Sequence, residues 1–130
     1  MRHVLWLLLL PFMAQAAGEG AWQDSRMGIT LNHRGEAASS QPLAPSQPVQ
    51  GSTTRVSWNI QLNGPSPAGL VTRLCSLSRC TELDGLSGST MAFSQVSAAE
   101  PFRFIWEIPG GGRLIPALKV QSIQIIVNYR

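Results

Sequence analysis

Histidine, cysteine and lysine are nearly missing from this 130-residue chain, which has two histidines, two cysteines and one lysine, Lys119. So few ligands leave no three-histidine or mixed Cys/His zinc site to build. A serine triad would have to form around His33 with no local motif to support it. Charge is scarce too: charged residues make up 13% of the chain, with ten Lys+Arg against seven Asp+Glu. The arginines are scattered singly from Arg2 to Arg130, and without a basic stripe, electrostatic capture of nucleic acid is excluded. Helical heptads and a GxGxxG run are absent. Gly110-Gly111-Gly112 lacks the Gly-Lys-Ser ending of a phosphate loop and reads as a flexible turn. Carboxylates are few, and Glu82 with Asp84 form at most a weak pair on a solvated face. No catalytic residue, metal or cofactor is expected, and the chain is not read as an enzyme.

What is present points to a turn-rich globular fold. Hydrophobic residues reach 44%, with 12 Gly and 9 Pro, and the length suits one core but not two.

The N-terminus separates from that fold. Met1-Arg2-His3 is a short positive start, Val4 to Met13 is apolar apart from Pro11, and Ala14-Gln15-Ala16 offers the small residues that a signal peptidase requires. Residues 1–16 are thus expected to be a cleavable signal helix. Ten apolar positions fall well short of the roughly 20 that a membrane-spanning helix needs, so the mature chain, 17–130, is expected not to span the membrane. It would carry nine cations against seven anions.

Export gives the cysteines their meaning. In an oxidising compartment a pair is normally bridged, although the same spacing could serve a redox or metal-binding pair elsewhere. A bridge needs Cα atoms about 4.4 to 6.8 Å apart, whereas five extended residues cover roughly 16 Å. The chain must therefore reverse at Ser76-Leu77-Ser78-Arg79, with Cys75 closing one strand and Cys80 opening the next.

Strand patterns recur along the mature chain. Met27, Ile29 and Leu31 alternate with polar or small residues, with a short strand around Trp22 and a turn at Ser25-Arg26 before them. Val56, Trp58, Ile60 and Leu62 form the cleanest amphipathic strand, followed by the cysteine hairpin, a weaker alternation through Met91, Phe93 and Val96, and then Phe102, Phe104, Trp106 and Ile108. Ile123, Ile125, Val127 and Tyr129 tie the C-terminus into a sheet. Seven or so strands without a helix predict a single all-β domain, a compact antiparallel, immunoglobulin-like β-sandwich with Trp58, Phe104 and Trp106 filling its core. Between Gly35 and Thr54, Pro42, Pro45 and Pro48 withdraw amide donors and predict a long loop or edge segment, a candidate contact surface.

Longer phrases add a family. Asn63-Gly64-Pro65, Pro67-Ala68-Gly69-Leu70, Arg73-Leu74-Cys75-Ser76, Ser78-Arg79-Cys80, Trp106 through Val120 and Val127-Asn128-Tyr129-Arg130 together resemble the flagellar protein FlhE family, as does the start Ala17-Gly18-Glu19-Gly20-Ala21-Trp22-Gln23. The resemblance implies a periplasmic flagellar accessory protein without enzymatic activity. It would act as a chaperone against misplaced flagellar assembly or limit proton leak through the export apparatus. Its partners would be flagellar rod, hook or export-apparatus proteins. The expected contacts are the Pro-rich segment and a Gly110-to-Pro116 hairpin with Arg113, Leu114 and Ile115 exposed at its tip. The alternative is a carbohydrate- or peptidoglycan-binding sandwich using Trp22 or Trp58 as a stacking face.

Overall fold

Period-two alternation becomes nine strands in the computed structural model, which describes residues 19–130. The expected signal segment, 1–16, lies outside the described residues. The strands are β1 (Gly20–Met27), β2 (Thr30–His33), β3 (Ala37–Ser39), β4 (Thr53–Leu62), β5 (Val71–Cys75), β6 (Cys80–Leu83), β7 (Ser87–Thr90), β8 (Arg103–Glu107) and β9 (Arg113–Tyr129). They form two antiparallel sheets, one ordered β1-β9-β4-β7 with β2 also on β9, the other β3-β8-β5-β6. The fold is an all-β sandwich.

Its core follows from the side-chain rows. Val56, Trp58 and Ile60 of β4 face Phe104 and Trp106 of β8, with Phe102 and Ile108 completing the β8 row, in one buried cluster. Phe104 and Trp106 lie nearly parallel with centroids 5.8 Å apart, while Phe93 meets Phe102 edge-on at 5.0 Å. Such offset and edge contacts add roughly 0.5 to 1.5 kcal/mol each beyond area burial. Trp58 stands opposite Gly88 of β7. A side chain at Gly88 would strike the indole ring, which covers the glycine instead.

Strand β9 is much longer than the sequence suggests, at 17 residues. Its inward residues are Leu114, Leu118 and Val120 in the first half but Ile123, Ile125 and Val127 in the second. Even positions give way to odd because the register against β4 slips between Gln61 and Leu62, where Gln61 pairs with Ser122 and Leu62 with Val120. One residue of slip exchanges the faces of everything beyond it.

The neighbouring strands follow the flip. β1 and β2 keep one continuous register along β9, from Gly20 opposite Tyr129 to Leu31 opposite Leu118. Trp22 points inward in the first stretch and Leu31 in the second, whereas Met27 is 81% exposed. This corrects the expected single face through Met27, Ile29 and Leu31, and the expected turn at Ser25-Arg26 lies within β1. The change occurs at Gly28, which hugs the Val120 backbone too closely for any side chain.

The Pro-rich segment is partly ordered by pairing. Residues 37–39 pair with β8, Leu43 exchanges two 2.8 Å backbone hydrogen bonds with Phe102, and Leu43 is fully buried. Between them, the Phe104 amide donates to Ser40 Oγ, which takes the place of a ladder carbonyl. The stretch expected as a weak strand around Met91 instead runs through turns, with Phe93 and Val96 buried and Met91 exposed.

A candidate docking surface on the bulged ribbon

Cys75 and Cys80 are bridged as cross-strand partners of β5 and β6, with Cα atoms 4.0 Å apart. The intervening turn is held from outside the hairpin as well. Glu100 accepts hydrogen bonds from the Leu77 amide and the Ser78 hydroxyl at 3.0 and 3.1 Å. Arg79 donates to the carbonyls of Ala92 and Ser94. Beside the bridge is a mainly apolar cleft of about 340 Å³, lined in part by Pro42, Leu77, Phe102 and Ile105.

The expected Gly110-to-Pro116 hairpin is not a hairpin. Pro109 to Gly112 carries the chain from β8 in one sheet to β9 in the other, and the Arg34 and Gly35 amides donate to the carbonyls of Gly112 and Ile108. Leu114, expected exposed at a tip, is buried at 3%, because it lies on the inward row of β9 beside Leu118. Ile115 is 80% exposed. It alternates outward from Leu114 within a second irregularity, where the four residues 114–117 of β9 stand opposite the single Asn32, between the pairs His33–Arg113 and Leu31–Leu118. Bulges of this kind re-aim side chains at functional edges.

Strand β9 also runs past its other neighbour. Pairing with β4 stops at Val120, apart from one bond from the Asn63 amide to the Lys119 carbonyl. Among the described residues, 113–118 therefore pair with β2 alone. Arg113 and Lys119, six positions apart in sequence, stand opposite His33 and Thr30, which are roughly 10 Å apart at the strand rise. Both are exposed, and neither enters an ion pair among the described residues. The result is a two-stranded overhang with an apolar knob, Ile115, between two cations.

The other expected contact residues lie elsewhere. Pro42 and Pro48 are exposed and Pro45 half-buried, on a segment pinned by Leu43 and by Asp24, whose Oδ2 accepts the Ala44 amide at 3.0 Å. Trp22 and Trp58 are each 7% exposed, and both indoles donate to backbone carbonyls, of Ala98 and Gly85. Neither offers a ring to a sugar. His33, Glu82 and Asp84 are exposed, and no cluster of three metal-ligating side chains occurs among the described residues.

Residues 28–130 match the sequence profile of the family described as Flagellar protein FlhE. The chain belongs to the FlhE family. It is 67% identical to the Flagellar protein FlhE of Salmonella typhimurium and 64% identical to that of Escherichia coli K12, over the whole of each chain. The more distant Yersinia enterocolitica protein is 38% identical over 94% of this chain and 88% of its own. A crystal structure of FlhE superposes with a TM-score of 0.86 at 68% identity, covering 88% of this chain and 99% of that one. Part of a chain in the complex of an Aeromonas sobria serine protease and its chaperone shares the fold alone, at 10% identity and a TM-score of 0.66 over 29% of that chain. FlhE membership gives this chain a flagellum-associated role, and its relatives are named as flagellar proteins, not enzymes.

Proposed function

We propose that this chain is a periplasmic flagellar accessory protein that works by docking, acting as a chaperone that keeps rod or hook subunits from assembling in the wrong place. Docked on the export apparatus, the same surface would limit proton leak. The observation that carries the reading is the overhang of β2 and β9, where a bulge on a rigid sheet holds Ile115 out in water between Arg113 and Lys119. Met27 and Leu77 are about as exposed, and what sets Ile115 apart is its place between two cations unpaired among the described residues, on a strand held by a buried row beneath it, a mix of apolar anchor and charged rim that suits a partner. Pro42 and Pro48 would form a secondary contact. The periplasmic reading is supported by the signal-like sequence of residues 1–16, with its positive start, apolar run and Ala14-Gln15-Ala16, and by the Cys75–Cys80 bridge, which persists where thiols are not kept reduced.

The test is site-specific photocrosslinking from position 115 in cells, read alongside swarming. Adducts with flagellar rod, hook or export-apparatus proteins in the periplasmic fraction, together with reduced swarming for a folded Ile115→Asp variant, are expected. Unchanged swarming for that variant, or adducts confined to non-flagellar proteins, overturns the reading.

A further inference from the structure

We propose that the segment this overhang accepts is a short, extended, acidic stretch of protein, with two carboxylates flanking an apolar residue on one face of a strand. The inference rests on the docking reading above and deepens it.

Three observations select this occupant. First, the charge is one-sided. Arg113 and Lys119 are exposed, Arg34 packs beside Gly110 at the same end, and His33 stands opposite Arg113. The nearby acid, Glu36, lies 3.8 Å from His33 Nδ1, and it is one carboxylate against the three cations Arg34, Arg113 and Lys119. Three arginines elsewhere are matched within the molecule, Arg26 with Asp24, Arg73 with Glu107, and Arg79 with two carbonyls, whereas Arg55, Arg103 and Arg130 stand singly and away from Ile115. Second, the strand edge is a poor template. Pro116 has no amide to donate, so addition of a strand along 113–118 would lack a rung. Recognition must come from side chains on the outward face. Third, the spacing is set. With Arg113 and Lys119 roughly 10 Å apart along the ribbon and both side chains long and flexible, carboxylates at positions i and i+4 of an extended partner come within reach. The residue at i+2, on the same face, then meets Ile115.

Exposed pairs of this kind contribute little singly and are screened by salt. The expected contact is therefore weak, rapidly reversible and salt-sensitive, as suits a chaperone that must release its client.

The probe is the labelled peptide Asp-Ser-Val-Ser-Asp, blocked at both ends, measured by fluorescence anisotropy against the full mature protein at low and physiological salt. Its counterpart carries Asn at both acidic positions. Binding at least tenfold tighter for the acidic peptide, weakened by salt and lost in the folded double variant Arg113→Glu with Lys119→Glu, is expected. Equal binding of the two peptides, no binding of either, or no effect of the double variant overturns the proposal. Sedimentation with anionic lipid vesicles that depends on Arg113 and Lys119, with no preference between peptides, assigns the face to a membrane surface and also overturns it. Crosslinking from position 115 separates this outcome from the wider reading: if flagellar adducts persist in the double variant, docking stands and the acidic client falls.

Discussion

Trp22 Nε1 donates a 2.8 Å hydrogen bond to the carbonyl of Ala98, joining the first strand to the turn-rich crossover 76 positions later. Both partners are buried, so Trp22→Phe leaves a carbonyl without its donor. A loss of about 1 to 3 kcal/mol is expected, read as a lower urea midpoint with an unchanged slope. A stability equal to that of the parent would mean that water replaces the indole.

The neighbours Leu114 and Ile115 should separate folding from function. Leu114→Ala removes a buried side chain and is expected to cost about 2 to 5 kcal/mol. Ile115→Ala takes away a solvent-exposed one and should leave the denaturation curve within about 0.5 kcal/mol of the parent, while swarming falls. If both variants melt alike, Ile115 is part of the packing and the overhang loses its claim as a contact surface.

Gly28→Ala tests the face change. A methyl group there would collide with the Val120 backbone, and overpacking of this sort typically costs about 1 to 3 kcal/mol. Thermal unfolding followed by circular dichroism gives the value. A neutral result would show that β1 and β2 can shift relative to β9 without penalty.

Reduction of the Cys75–Cys80 bridge opens a very short loop, for which chain entropy alone suggests about 2 kcal/mol. Because Glu100 and Arg79 hold the turn independently, the reduced protein should keep its far-ultraviolet spectrum. Adding Glu100→Ala to the reduced form should then lower the midpoint further than either change alone, as expected for two constraints on one segment.

How far the sequence could be read depends on what each residue sees. The rows Val56-Trp58-Ile60 and Phe102-Phe104-Trp106-Ile108 were legible because each strand keeps one face inward for its whole length. Strand β7 was not, since Ser87-Gly88-Ser89-Thr90 has no apolar member and is a strand because Trp58 lies across it. The length of β9 is hidden by its slip at Gln121-Ser122, which breaks the alternation in the middle of one continuous strand, and the same change of face, carried across to β1, turns Met27 outward against its sequence pattern. Leu43 is a lone apolar residue among prolines, and periodicity has nothing to measure there. At the candidate site, Arg113 and Ile115 could be named from the glycine run before them. The burial of Leu114 and the approach of Lys119 depend on the pairing with β2, which is a long-range fact.

The central place of β9 also sets an order of events. Strands β1, β2 and β4 all pair with residues 113–129, so the larger sheet cannot assemble while those residues are still being made. Until then β1, β2 and β4 lack their shared partner, and the arrival of the last strand is what completes the larger sheet.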